Sequence, residues 1–272
     1  MKARTTAEYL DLIGVPRLPP RTSPFDPGYD PGTVESHIEQ SWHLMSVLKI
    51  SMACWQIADE ASTRRKVKAA RARGVPVCTG GGPFEIASTF GTLPDFFDLC
   101  ADIGVTRIEA GEGFTEQDLD PRLIIAMAAE RGLDVQYEAG KKHGGTFTSD
   151  VVTALVDEGR RWLDAGAKSI VIEGRESAQN VGLFDANGRV NAGFAERFVE
   201  AYGMEHVVFE APNKPSQFAL LNHFGPMVQM SNVRLEELLR VEIYRRGLHS
   251  DAFQHANLRP AGPARAGMQV TV

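Results

Sequence analysis

Hydrophobic positions along this chain follow two periods in turn. Short β-branched runs, of the kind buried on both faces of a sheet, alternate with longer stretches whose apolar residues recur three and four apart. The runs fall at residues 43–50, 75–79, 105–110, 133–139, 168–173, 206–210 and 227–230. The helical stretches fall at 33–44, 59–73, 92–103, 120–131, 149–165, 192–202, 216–224 and 234–246. Gly74, Gly104, Gly132, Gly166 and Gly247 close helices, as residues free to turn left-handed do. Strand–helix units at roughly 30-residue spacing predict an α/β protein, a single-domain (β/α)8 TIM barrel. An open doubly wound sheet is the alternative, and its G-x-G-x-x-G fingerprint is absent.

The ends of the chain break this rhythm. Residues 1–32 form an N-terminal arm in this reading: a short amphipathic helix within 1–14, then a stretch holding Pro16, Pro19, Pro20, Pro24, Pro27 and Pro31. Proline lacks the N–H that a ladder or helix interior needs, so the stretch predicts a loop, arm or lid and not a central strand. The first barrel strand is expected before Thr33, at no defined place. The barrel is assigned to 33–254, and the Ala-, Gly- and Pro-rich residues 255–272 to a loosely ordered tail.

Composition narrows the function classes. Hydrophobic residues make up 43% of the 272, enough for a full core, and the net charge is −6. The densest basic run, Arg64 to Lys68, sits on a helical pattern and predicts a solvated face, so no nucleic-acid partner is expected. Cys54, Cys78 and Cys100 lie far apart without a C-x-x-C, which fits a reduced interior. Residues 1–21 lack the apolar core of a leader, and no apolar run approaches the length of about 18 that a membrane span needs. A cytoplasmic protein without a membrane partner is the expectation.

The candidate chemistry lies at the strand ends. Four strands finish alike: Ile108-Glu109-Ala110-Gly111, Tyr137-Glu138-Ala139-Gly140, Ile172-Glu173-Gly174-Arg175 and Phe209-Glu210-Ala211-Pro212. In a barrel these ends form the rim where active sites are built. Converging carboxylates repel and require a neutralising partner. A hard divalent cation such as Mg²⁺ supplies it through oxygen ligands, and so do Lys49, Lys141, Lys142, Arg175 and Lys214. Each Glu taken alone is equally a rim ion pair. Lys141 and Lys142 suit a phosphate clamp, a general acid or a Schiff base. Gly80-Gly81-Gly82 is an ordinary tight turn or one that aims N–H groups at an anion. The scattered histidines have no zinc spacing, and no G-x-S-x-G or Cys–His pattern supports an acyl-transfer nucleophile.

From about His43 to Phe253 the chain resembles the phosphosulfolactate synthase family, which adds sulfite to phosphoenolpyruvate. The most specific match is Val171–Ser177 with Gly182-Leu183-Phe184-Asp185 and Gly188. Supporting matches are Gly80-Gly81 with Phe84-Glu85, Glu138 with Gly140-Lys141-Lys142, Phe209–Pro212 with Lys214 and Gln217, Asn232, and Arg245-Arg246-Gly247-Leu248. The resemblance implies a (β/α)8 barrel, a homo-oligomer, a Mg²⁺ requirement and small anionic substrates. It implies Lys142 as the acid that protonates an enolate-like intermediate, Lys49 and Lys141 beside it, and Arg175, Lys214, Gly80, Gly81 and Asn232 on substrate. The candidate metal ligands are Glu109, Glu138, Glu173 and Glu210.

The chain departs from the family pattern on one side. Ile50–Cys54 stands where the family runs Phe-Gly-Trp-Gly-Thr, Thr79–Gly82 where it has Pro-Gly-Gly-Thr, and Glu112 where it has Asp. The retained residues lie on the fourth to seventh strands, so a changed nucleophile or acceptor is a second expectation. A Schiff-base aldolase and a non-catalytic anion-binding barrel are the remaining alternatives.

Overall fold

Ile170, Val171 and Ile172 are fully buried, as a strand covered on both faces must be. They belong to a closed barrel of eight parallel strands in sequence order. In the computed structural model, which describes residues 3–260, the strands are β1 (Thr22–Asp26), β2 (Leu48–Ile50), β3 (Val77–Thr79), β4 (Arg107–Gly111), β5 (Asp134–Ala139), β6 (Ile170–Ile172), β7 (Val207–Glu210) and β8 (Gln229–Arg234). Helices follow the strands and pack outside them, making one (β/α)8 domain as the periodicity predicts.

The strand that the periodicity could not place is β1, and it corrects the reading of the proline-rich stretch. Thr22–Asp26 includes Pro24 and closes the barrel between β2 and β8. The β8 ladder shifts register between Thr22 and Pro24. A break in the ladder lets a residue without an N–H stand inside a sheet. The barrel therefore begins at residue 22, ahead of the expected boundary at 33. Asp26 also fixes the loop beyond: its Oδ1 accepts from the Gly28 and Tyr29 N–H groups at 2.8 and 2.7 Å, and its Oδ2 pairs with buried Lys66 at 2.7 Å.

Two other local expectations change. The strand expected over 43–50 is only Leu48–Ile50, since Trp42–Leu44 is a 3-10 turn. The glycine triplet opens a helix, Gly81–Thr89, with Gly80 as its N-cap. At the other end, Arg245 ties the last helix, Leu238–Arg245, beneath the closure. It donates to the Pro226 and Val228 carbonyls at 2.7 Å each and pairs with Glu242 at 3.0 Å. Gly247, at φ +70°, lets the chain after it return: a Cβ there would meet the Leu258 carbonyl oxygen at 2.1 Å. Leu258 is buried, so the start of the expected loose tail packs on the barrel; residues 261–272 lie outside the described residues. No helix among the described residues is long and apolar enough to cross a membrane.

Candidate active site

The four strand-end glutamates converge. Glu109 lies in β4, Glu138 in β5 and Glu210 ends β7, while Glu173 directly follows β6. Each is at most 3% exposed. One carboxylate oxygen from each of Glu138, Glu173 and Glu210 lies within 4.8 Å of the others. They line a cavity of about 670 Å³ that also takes in Lys49, Lys142, Arg175, Gly80, Gly81 and Asn232.

Two ammonium groups thread this cluster. Lys49 Nζ is 2.7 Å from Glu109 and 3.6 Å from Glu210, and it donates to Asn232 Oδ1 at 3.1 Å. Asn232 in turn donates through Nδ2 to Glu210. Lys142 Nζ is 2.7 Å from Glu138 and 3.1 Å from Glu173. Backbone groups complete the site. Gly174 and Arg175 N–H donate to Glu210 at 2.9 and 3.0 Å, and Arg175 N–H also donates to Glu173 at 2.7 Å. Arg175 can do both because it takes a left-handed turn, φ 55°. Its guanidinium donates to the Lys142 carbonyl at 3.1 Å and makes no ion pair among the described residues.

Burial and charge pull these groups apart in pKa. For Lys49 burial acts downward, but Glu109, Glu210 and Glu138 outweigh it and raise the ammonium pKa. Lys142 is raised likewise, by Glu138 and Glu173 against burial. Burial pushes Glu109 up to about 7, with Lys49 opposing. Burial also acts upward on Glu138, yet Lys142 and Lys49 hold it down to about 2. Burial, then Glu138 and Glu210, push Glu173 up to about 10. Glu173 therefore keeps a proton at neutral pH and shares it with Glu138, the arrangement forced on carboxylates too close for both to ionise.

The donor set fits a hard divalent cation. Four carboxyl groups face two ammoniums, an excess of two negative charges once the Glu173 proton is given up, and all the candidate ligand atoms are oxygens. Glu109 is the poorest candidate ligand: its oxygens are occupied by Lys49, by the Gly81 N–H at 2.9 Å and by Gln136 Nε2 at 2.8 Å. The Gly81 N–H thus serves the protein's own carboxylate and not an external anion. Gly81 is also sterically required, because a Cβ would sit 2.8 Å from Glu138 Oε2.

Two predicted site residues lie elsewhere. Lys141 turns away and donates to the Glu112 and Thr115 carbonyls at 2.7 and 2.9 Å. Lys214 begins the helix Lys214–Phe224, 3.7 Å from Asp251 and over the Phe218 ring. Both stand on loops or helix starts, where strand alternation does not set side-chain direction. Sequence reasoning missed Gln136, which shares Glu138's face two residues earlier. It also gave no role to Glu85, whose Oε2 accepts from the Phe114 and Thr115 N–H groups at 2.9 and 3.1 Å and pins the loop after β4.

Comparison with known proteins now adds to this geometry. In fold the chain is similar to a 3-dehydroquinate dehydratase from Geobacillus kaustophilus, at a TM-score of 0.51 and 11% identity over 84% of this chain and 91% of that one. It is 31% identical over 232 residues to the phosphosulfolactate synthase of Methanocaldococcus jannaschii, covering 84% of this chain and 91% of the relative. It is 28% identical over 249 residues to that of Methanothermobacter thermautotrophicus, covering 90% and 95%. The model of the (2R)-phospho-3-sulfolactate synthase (ComA) family matches residues 14–251. The chain is thus a lyase-type enzyme by its relatives, and it belongs to the (2R)-phospho-3-sulfolactate synthase family.

Proposed function

We propose that this lyase is Mg²⁺-dependent and joins a sulfur nucleophile of the sulfite type to the methylene carbon of phosphoenolpyruvate. The observation that carries the reading is Lys142, held between Glu138 and Glu173 at the edge of a cavity with three converging carboxylates. Mg²⁺, held by Glu138, Glu173 and Glu210, would supply positive charge toward the substrate's anionic groups. The chain's own residues do the rest. Arg175 offers guanidinium N–H groups to a phosphate, a geometry suited to bidentate contact. Lys49 is fixed by Glu109 and Asn232 and keeps its charge at the base of the cavity, where an enolate-like carboxylate would gain most from it.

When sulfur attacks the methylene carbon, the electron pair of the double bond moves toward the carboxylate. The carbon bearing the phosphate ester then takes a proton from Lys142. Its carboxylate neighbours raise the pKa of that ammonium, so it yields the proton only to a strong base, which the enolate carbon is. The same charge state disfavours a Schiff base, which needs a neutral amine. Arginine and lysine charge at this rim also favours small anionic substrates. Incubation with phosphoenolpyruvate, sulfite and Mg²⁺, followed by phosphorus NMR, tests the reading. A new phosphate ester that fails to form in the presence of chelator supports it, and unchanged phosphoenolpyruvate under all metal conditions overturns it.

A further inference from the structure

Lys142 stands on the loop after β5, so no strand or helix sets the direction of its side chain. Its backbone makes two hydrogen bonds. Its N–H donates to the Gly113 carbonyl at 2.7 Å, and its carbonyl accepts from the Arg175 guanidinium at 3.1 Å. The shorter of the two reaches the loop that directly follows β4. The side chain rests on that loop as well. A Cβ at Gly113 would stand 3.0 Å from both Cγ and Cε of Lys142, so the lysine stem lies against a bare Cα.

One buried side chain anchors this loop. Glu85, on the helix Gly81–Thr89, is 1% exposed. Its Oε2 accepts from the Phe114 N–H at 2.9 Å, the Thr115 N–H at 3.1 Å and the Thr115 hydroxyl at 2.9 Å. All three donors belong to the two residues after Gly113. The other oxygen, Oε1, is buried without a hydrogen-bond partner and would be 3.2 Å from a Cβ at Gly113. The missing side chain of Gly113 therefore leaves room for both the lysine stem and Glu85.

Glu85 does not line the cavity, so any part it has in the chemistry passes through another residue. A buried carboxyl group needs hydrogen bonds or a counter-ion to offset lost solvation. Here the loop N–H groups and the Thr115 hydroxyl supply them. Lys141 touches the same loop from its exposed side, at the Glu112 and Thr115 carbonyls, whereas Glu85 holds it from the interior.

We propose that Glu85 is a positioning residue for Lys142, acting through Phe114, Thr115 and Gly113. Glu85 fixes the loop, and Gly113 fixes the lysine by one hydrogen bond and one close contact. The ammonium then stands between Glu138 and Glu173, 2.7 and 3.1 Å away. The proposal rests on the reading of Lys142 as the proton donor to the enolate carbon. Proton transfer to carbon needs a short, aligned approach, and a misplacement of about 1 Å can cost roughly 10²-fold in rate. Glu85 serves here as a hydrogen-bond acceptor, so its role needs the oxygen and not the charge.

The test uses the full chain and reads Lys142 in two ways. In chelator, trace acetic anhydride acylates amines according to their neutral, accessible fraction, and peptide mass gives the labelling of Lys142 relative to exposed Lys168. With Mg²⁺, phosphoenolpyruvate and sulfite, phosphorus NMR gives kcat and KM. Glu85→Ala is expected to raise the labelling ratio about tenfold or more, since each unit lost from an ammonium pKa raises its neutral fraction about tenfold. It is expected to lower kcat by about 10- to 100-fold with KM for phosphoenolpyruvate unchanged, the sign of a contact made in the transition state. Glu85→Gln keeps an oxygen for the three donors and is expected to return both readouts close to the parent values. Gly113→Ala keeps Glu85 and crowds the lysine stem without a left-handed torsion; it should match Glu85→Ala in both readouts. Labelling of Lys142 that stays at the parent value in Glu85→Ala, or in Gly113→Ala where Glu85→Ala does not fold, overturns the inference. So does a kcat loss that Glu85→Gln fails to repair, or labelling that rises while kcat holds. A parent protein that leaves phosphoenolpyruvate unconsumed overturns the enol-phosphate reading, and the labelling ratio then decides by itself whether Glu85 places Lys142.

Discussion

Lys49 and Glu109 form an ion pair at 2.7 Å in which the ammonium is 7% exposed and the carboxylate fully buried. The pair ties β2 to β4 at the base of the cavity. Removing one partner of a buried pair leaves the other charge without compensation and costs about 3–5 kcal/mol. Lys49→Met is expected to lose about that much stability in urea denaturation. Adding Glu109→Gln should restore more than half of the loss, because the amide oxygen still accepts from the Gly81 N–H and the carboxylate nearest the lost ammonium no longer carries a charge. If the double variant is no more stable than Lys49→Met, the cost lies in packing and not in the orphaned carboxylate.

Lys142 and Lys141 are adjacent in sequence and separate in role. Lys142→Ala should reduce turnover by about 10²–10⁴, the usual worth of a general acid. It should also tighten Mg²⁺ binding by isothermal titration, since it removes the cation that competes for Glu138 and Glu173. Lys141→Ala removes only contacts to the Glu112 and Thr115 carbonyls, so a turnover loss of less than about tenfold is expected. Equal loss in the two variants would contradict the assignment.

The proton on Glu173 gives the metal-free protein a pH dependence of definite sign. Its folded pKa, raised to about 10 from 4.5, means the native state binds a proton that the unfolded chain has released. That stabilisation is complete below pH 4.5 and is lost as pH rises toward 10. Glu109, raised to about 7, acts in the same direction over the lower part of the window. Glu138, held down to about 2, acts oppositely, and its contribution is lost only below pH 4.5. Urea stability in chelator should therefore fall between pH 5 and 9. Mg²⁺ bound as proposed would displace the shared proton, so its addition at 100 times its Kd should add about 2.7 kcal/mol and flatten that fall. Stability in chelator that rises over the same range would overturn the account of Glu173.

The glutamates at the rim were legible because each is the lone acidic residue closing an apolar run, and strand alternation turns it inward. Their pairing with particular lysines was not legible, since Lys49 meets Glu109 and Glu210, and Lys142 meets Glu173, only through tertiary structure. Lys141 and Lys142 show the limit most directly: neighbours in a loop diverge, and no periodicity says which enters the cavity. The proline-rich stretch hid β1 because Pro24 is tolerated only through a register shift that a sequence pattern does not display. The departures from the family pattern after Lys49 and at Gly82 do reach the cavity, where Ser51, Met52, Ala53 and Gly82 line it.

Gly81 is the position where a single added methyl group should reach the proposed metal site without adding or removing a charge. It begins the helix Gly81–Thr89 and donates its N–H to Glu109. A Cβ there would stand 2.8 Å from Glu138 Oε2 and 3.6 Å from Glu109 Oε1. The first contact is closer than atoms tolerate, and Glu138 is held by Lys142, so its carboxylate must leave the position it now holds beside Glu173 and Glu210. Overpacking of this kind costs about 1–3 kcal/mol. Gly81→Ala is therefore expected to weaken Mg²⁺ binding by about tenfold or more, with each 1.4 kcal/mol of lost interaction worth one factor of ten, and to lower thermal stability. Gly193, also near a helix start, meets only Asn191 Oδ1 at 3.7 Å, so Gly193→Ala should leave stability within about 0.5 kcal/mol and Mg²⁺ affinity unchanged. If Gly81→Ala binds Mg²⁺ as tightly as Gly193→Ala, then Glu138 is not a metal ligand and the cation rests on Glu173 and Glu210 alone.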